Sequence, residues 1–444
     1  MVEAPLRRLI ANHRGAPAIR PVVRTITAAC VLLLPLLGSS PATGSPPVAV
    51  RTCHGRVATI VGSGQLTGTA HDDVIVTSGG RVRAGAGDDL VCVVGDSSEA
   101  SVSVGDGDDA VYVLSHVTQV TYRGESGSDT YVGNGQGDLV AFRADGSDTI
   151  RTRGGSDTVS VNAARGERRA RVSLGGGDDL LWLHLSSVGR TVDGGAGRDR
   201  MVVDHKSTHR WLFDNRLGRA TSGSEVRYRW RGFESFELEP LRAPTVEFRG
   251  SDAGESFITP GLGDPEVLAT MGGGDDEVTV VAPGHGQVDG GDGQDRLTFR
   301  RVVQNSPDFV TADLASGLAQ VGNQGIVDVW GLAAVEDLDA AHWPRAELHG
   351  DDAANVLRAT GSCAALLDGR GGNDTVDGGT FPCADALFGA TPGGGTFLGG
   401  DGDDVLTGTV FDDQLDGGPG TDSADGRGGT DTCVAEVRVS CELP

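Results

Sequence analysis

Residues 399–434 read GGDGDDVLT, GTVFDDQLD, GGPGTDSAD and GRGGTDTCV, four nonapeptides without a gap. Their sixth positions are Asp404, Asp413, Asp422 and Asp431, and an apolar or small residue follows each at two positions' distance: Leu406, Leu415, Ala424 and Cys433. A period of nine with glycines before an aspartate and one inward-type residue after it describes a turn followed by a three-residue strand. Side chains alternate along such a strand, so the eighth-position residue points inward while its neighbours point out. One unit cannot bury that residue alone; stacked units can.

The same phase extends upstream. Aspartates in the sixth-position context stand at Asp73, Asp89, Asp109, Asp129, Asp138, Asp148, Asp157, Asp179, Asp199, Asp276, Asp295 and Asp374, which with the four above makes sixteen. A flexible acidic linker would not keep an apolar residue in step with each aspartate. The spacing predicts an all-β chain, a parallel β-roll or β-solenoid with β spacer segments. Asp129, Asp138, Asp148 and Asp157 are nine or ten apart, whereas Asp73, Asp89, Asp109 and Asp129 are 16 or 20 apart. The wide interval predicts rungs of about two nonapeptides, with an aspartate turn on one side and a plain turn on the other.

Glycine turns can bring backbone carbonyls close together, and the aspartate adds a carboxylate. That is the hard oxygen shell Ca2+ prefers, so the sixteen aspartates are candidate metal ligands and Ca2+ the candidate cofactor. Charge agrees. The chain carries 37 basic and 62 acidic residues; residues 1–44 hold five arginines and one glutamate, which leaves −29 on the remainder. Such a chain attracts cations and repels nucleic acid and anionic lipid.

Residues 1–44 have the pattern of a secretory signal: Arg7, Arg8, Arg14, Arg20 and Arg24, then the apolar run Ala28–Leu37, then small residues. The run is too short to span a membrane. Export predicts a secreted or extracellular protein, cell-wall associated or free, and a monomer. Six cysteines remain beyond the signal: Cys53, Cys92, Cys363, Cys383, Cys433 and Cys441. An even count predicts disulfides, and sequence order suggests three local pairs among 15 connectivities. Cys433 with Cys441 is the pair expected to close the end of the stack.

A longer repeat overlies the short one. Leu174-GGGDD recurs as Met271-GGGDD, Asp193-GGAGRDR as Asp289-GGDGQDR, and Gly250-SDAGESF as Gly350-DDAANVL, at offsets of 97, 96 and 100. Asp214, Gly218, Ala220, Gly232 and Glu237 recur as Asp313, Gly317, Ala319, Gly331 and Glu336, an offset of 99. The expected organisation is a first β-roll at 45–169, a roll-plus-spacer module at 170–268, its copy at 269–367 and a final β-roll at 368–444.

These residues resemble the hemolysin-type, or RTX, calcium-binding repeat family, most specifically at 399–434, GAGDD (85–89), GDGDD (105–109) and GGAGRD (194–199). The start TCHGRVATIVGSGQLTGTAHDDVIV looks like that of small secreted calcium-binding repeat proteins of high-GC bacteria, where the first cysteine, here Cys53, accompanies one after an aspartate turn, here Cys92. The resemblance implies that each ion sits between the turns of repeats n and n+2. Asp404 would then share an ion with Asp422, Asp413 with Asp431, Asp129 with Asp148, Asp138 with Asp157 and Asp89 with Asp109. The pattern is broken where position 4 is His71, Gln136 or Phe411 and where position 6 is Glu255 or Asn355.

No GxSxG or HExxH occurs, and Gly95-Asp-Ser-Ser98 reads as a repeat turn. The expectation is a non-enzymatic calcium-binding protein. His205 and His209 read as a surface loop rather than a metal pair. Trp211, Tyr228, Trp230, Phe233 and Phe236 read as spacer packing, with a glycan or cell-surface platform as the alternative. That alternative would make the protein an adhesin or matrix component; a divergent hydrolase in the spacers is the least favoured reading.

Overall fold

The computed structural model describes residues 51–95, 99–114, 116–144, 146–163, 170–184, 191–204, 209–239, 243–260, 265–301, 308–323, 325–379 and 393–442. The expected signal segment, His205 and Cys383 lie outside them. Within them the chain is a parallel β-solenoid, as the nonapeptide phase requires.

Two sheets run the length of the solenoid, and each strand pairs in parallel with the strand one rung on. Sheet one begins Leu90–Val93, Ala110–Val113, Thr130–Val132, Thr149–Arg151, Arg171–Gly176 and Thr191–Ala196. Sheet two includes Glu99–Asp106, Gln119–Arg123, Asp138–Ala144, Thr158–Ala163, Leu180–His184 and Arg200–Asp204. The first long strand, Val74–Ala86, serves both sheets. It turns the corner at Gly79 and Gly80, whose φ of 125° and 89° only glycine adopts without strain.

The core fills the gap between the sheets with one residue per strand row. Ile75, Val91, Val111, Ile150, Leu181, Leu297, Leu406 and Cys433 all sit at the inward position and are buried. At about 25 cal/mol per Å2 these side chains supply the stabilisation that a single rung lacks.

The two spacers are woven into sheet one. In the first, Glu225–Arg231 pairs in parallel with Thr191–Ala196, then in antiparallel with Arg219–Ser222, which pairs with Trp211–Asp214, which returns to parallel pairing with Thr245–Arg249. The second repeats this with Val327–Ala333, Leu318–Gly322, Phe309–Asp313 and Arg345–His349. The shared topology corrects the sequence alignment in one place. Arg200 pairs with Ser235 and Arg296 with Asp337, so Glu234 corresponds to Glu336 at an offset of 102 rather than 99. Three extra residues in the second meander's hairpin account for the shift: Ser222 faces Glu225 across a tight turn, Gly322 faces Val327 across a longer one.

The spacer aromatics point inward. Trp211, Tyr228, Trp230, Phe233 and Phe236 are each 3% exposed or less, and Trp211 stacks on Phe213 with centroids 5.3 Å apart. The platform alternative is therefore corrected: these rings fill the wider core where sheet one gains two strands, and no surface for a sugar remains on them.

Disulfides join Cys53 to Cys92 and Cys433 to Cys441. Cys363 is also disulfide-bonded. The last strand, Val437–Val439, does not fold back over the end as the capping idea expected. It pairs in parallel with Ser423–Asp425 and continues sheet two by one rung. Among the described residues no helix is long and apolar enough to cross a membrane.

Candidate metal-binding turns

Every one of the sixteen repeat aspartates is buried, none more than 5% exposed. The turns bring them into columns. In the first column the Asp73 amide donates to Asp89 Oδ1 at 2.8 Å, Asp89 to Asp109 at 2.8 Å, Asp109 to Asp129 at 3.2 Å and Asp129 to Asp148 at 2.9 Å. A second column links Asp138 to Asp157, Asp179 and Asp199 in the same way at 2.7–3.0 Å. It resumes with Glu255, Asp276 and Asp295, then Asn355, Asp374, Asp404 and Asp422. A third, short column runs from Gly395 through Asp413 to Asp431.

The first and second columns occupy opposite edges of the solenoid. Asp129 lies where sheet two's Gln119–Arg123 passes into sheet one's Thr130–Val132; Asp138 lies where that strand passes back into sheet two. The nine- and ten-residue spacings thus mark the stretch in which both edges carry aspartate turns. The 20-residue spacings mark rungs with one. The partners expected from the repeat n to n+2 rule, such as Asp404 with Asp422, are indeed neighbours in a column.

The ladder consumes one carboxylate oxygen of each aspartate below the head of a column; Asp138, which heads the second, receives no ladder amide on either oxygen. At most turns the second oxygen is left over. Asp89, Asp109, Asp129, Asp138, Asp157, Asp179, Asp199, Asp276, Asp295, Asp374, Asp404, Asp422 and Asp431 each bury an Oδ2 without a well-formed hydrogen bond, the Tyr122, Tyr131 and Thr152 hydroxyls standing beside the carboxylates of Asp129, Asp138 and Asp157. A buried carboxylate oxygen without a partner is strongly unfavourable. Glycine opens the space beside it: a Cβ on Gly399 would lie 2.3 Å from Asp404 Oδ2. Carbonyls crowd the same turns. Gly105, at φ 107°, would place a Cβ 1.7 Å from the Gly85 carbonyl oxygen. Among the described residues no group of three or more His, Cys, Asp or Glu side chains converges as a metal cage. An ion here would take one carboxylate oxygen per turn and complete its shell with carbonyls, a donor set of the kind Ca2+ accepts.

Burial pushes most of these carboxyls up. Asp129, Asp138, Asp179 and Asp276 rise to about 7, and Asp89, Asp109, Asp157, Asp199 and Asp374 to about 6. Ladder amides pull most of them in the other direction without cancelling the desolvation.

Two of the sixteen differ. At Asp413 the Thr409 amide and hydroxyl both donate to Oδ2, the hydroxyl at 2.9 Å, and Gly395 donates to Oδ1. At Asp73 the Thr69 amide and hydroxyl donate to Oδ2 at 2.7 and 3.0 Å and the Thr59 hydroxyl to Oδ1 at 3.0 Å. Burial raises Asp73, but these donors outweigh it and its carboxyl ends below the ordinary value. Both turns read G-T-x-x-D-D, with His71 or Phe411 where glycine would stand. Glu255 and Asn355 are satisfied likewise, by the Ser251 amide and hydroxyl and by the Asp351 amide.

Other members of the site escape an Asp-x-apolar scan. Glu234-Ser-Phe236 and Glu336-Asp-Leu338 place glutamate at the same position, and their carboxylates accept the Asp199 and Asp295 amides at 2.9 and 2.8 Å. Glu436 and Glu442 end the last two columns on Asp422 and Asp431. An outer ladder runs beside the buried one: Asp88 accepts from the Asp108 amide, Asp108 from Ser128 and Asp403 from Thr421, all at 2.8–2.9 Å. The Asp-Asp doublets at 88–89, 108–109 and 403–404 were its signal in the sequence.

No family model matches the chain. No curated protein matches it either. Among solved structures it is similar to a hyperactive, Ca2+-dependent, β-helical antifreeze protein from an Antarctic bacterium, at 13% identity and a TM-score of 0.17 over 84% of this chain and 83% of that one. A likeness that weak carries no argument about what this chain binds.

Proposed function

We propose that this chain is a secreted calcium-binding β-roll that completes its fold on taking up Ca2+, and that it acts by binding rather than by catalysis. The observation that carries the reading is the set of thirteen buried Oδ2 atoms without well-formed hydrogen bonds, stacked at glycine turns. Their aspartates are the proposed ligands, and Asp148, which ends the first column, is added to them. Asp73 and Asp413 are left out of the set, since their oxygens already have donors. Cation uptake relieves each buried charge and the −29 self-repulsion together. Ca2+ that binds only the folded chain stabilises it by RT ln(1 + [Ca]/Kd), about 1.4 kcal/mol per site for Kd ~0.1 mM in ~1 mM calcium. Cytosolic calcium would leave such sites empty, so folding would follow export. The disulfides Cys53–Cys92 and Cys433–Cys441 suit an oxidising compartment.

Far-UV circular dichroism of the mature chain tests the reading. A β spectrum in 1 mM-range calcium that collapses in EDTA is expected. A β spectrum of equal strength in EDTA would refute calcium-dependent folding.

A further inference from the structure

We infer that the outer face of sheet one at the first spacer is a binding site for an acidic polysaccharide, built by Arg151, Arg171, Arg219, Arg229 and Arg231. Arg151, Arg171, Arg229 and Arg231 line an open groove of about 540 Å3 whose walls also carry Thr149, Ser173, Thr191 and Asp193, and Arg219 stands beside it on the strand paired with Arg229. Parallel register sets the rows: Thr149 faces Arg171, Thr191 faces Arg229, and Asp193 faces Arg231. Arg231 pairs with Asp193. The side chains of Arg151, Arg171 and Arg229 make no ion pair or hydrogen bond among the described residues, and Arg219 buries an Nε that lacks an acceptor.

Two observations set this face apart from ordinary surface charge. First, Arg219 and Arg229 stand directly opposite each other across an antiparallel pair. Like charges in that position destabilise a sheet unless an anion lies between them. Second, the duplicated module keeps the backbone and drops four of the five arginines, with only Arg249 standing in the place of Arg151. From the matching registers, Leu268 stands for Arg171, Leu318 for Arg219, Gly331 for Arg229 and Ala333 for Arg231. The fold therefore does not require these arginines. A cluster of guanidinium groups on a chain of net charge −25 needs a ligand to explain it.

Spacing selects the ligand. Arg171 and Arg229 sit two rungs apart, about 10 Å at the usual strand separation, with the Thr191 hydroxyl between them. Anionic groups at wide intervals, separated by hydroxyl-bearing segments, describe a carboxylated or sulfated sugar chain. The threonine and serine hydroxyls of the walls suit the hydroxyls of a sugar, and the walls offer no aromatic ring for a single-stranded base. Arginine forks bind carboxylate and sulfate alike in bidentate geometry.

Fluorescence anisotropy at fixed free calcium tests the proposal, using end-labelled oligogalacturonate, heparin-derived oligosaccharide, neutral dextran and a DNA duplex. At least one acidic oligosaccharide should bind, weakening as salt rises, and the stronger of the two identifies carboxylate or sulfate as the natural group. Arg171→Leu and Arg229→Gln should each weaken binding about tenfold while calcium uptake stays unchanged. Arg229→Lys should recover part of the loss. Should the Leu or Gln variant fail to fold, Arg151→Ser, an exposed substitution, reads the same loss. No binding of either acidic oligosaccharide, equal binding of dextran, tighter binding of DNA, or arginine variants that bind as the parent does would each overturn it. Calcium-dependent folding stands or falls separately, because these variants leave the aspartate turns intact.

Discussion

Two adjacent turns of the last β-roll, 399–404 and 408–413, have the same length and the same paired aspartates, yet they end in opposite chemical states. In the first, Asp404 gives Oδ1 to the Asp374 amide and keeps a buried Oδ2 without a donor. In the second, Thr409 folds its hydroxyl and amide onto Asp413 and leaves nothing over. The residue after the leading glycine decides the outcome. Gly400 permits φ 111° and presents no side chain, whereas Thr409 carries its own donor. Satisfaction by threonine and satisfaction by an ion are alternative answers to the same buried carboxylate. The roll uses both, so its calcium demand is set turn by turn.

The largest expected effect is on pH. Nine of the donor-poor carboxyls have folded values of about 6 to 7 because of burial, against ~3.9 in an unfolded chain. The folded chain then holds protons that the unfolded chain releases. In chelator its stability is greatest below pH ~4 and is lost as pH rises through the folded values, 6 to 7. In calcium the trend reverses, because the ion needs these groups deprotonated. Melting curves at pH 5 and pH 8, with and without EDTA, should therefore cross. Parallel trends would break the contrast between open and closed turns.

A smaller effect follows from single turns. Asp404→Ala removes one ligand and strands the buried Asp374 amide, for a loss of about 2–4 kcal/mol in calcium. Chemical denaturation at saturating and at limiting calcium should show part of that loss vanish as the ion is withdrawn. Smallest is Thr409→Val, about 1 kcal/mol from the lost hydroxyl bonds, the same at both calcium levels. A calcium-dependent loss there would mean that Thr409 does not close its turn.

Much of this was legible in the chain. The step between each aspartate and its inward residue fixed strand, turn and core, down to Cys433 as the final inward residue. The plain and aspartate turns followed from the 20-residue intervals. What escaped had physical reasons. The change of edge at 129–157 depends on which sheet a strand joins, and a period of nine or ten looks the same from either edge. Glu234 and Glu336 were hidden because one more methylene lets glutamate reach the amide that aspartate reaches from a tighter turn. Thr69 and Thr409 drew no notice beside His71 and Phe411, since a hydroxyl's role appears only when its partner oxygen is located. The meanders were seen as extra strands, but pairing partners 35 to 44 residues apart set their place inside sheet one.

The central claim is that carboxylates without donors, and not repeat aspartates in general, hold calcium. Isothermal titration with Ca2+ on the parent, Asp404→Asn and Asp413→Asn tests it directly. The account predicts that Asp404→Asn lowers the number of ions bound or weakens one of them, while Asp413→Asn leaves the isotherm unchanged. Equal loss in both variants, or loss only in Asp413→Asn, would contradict it.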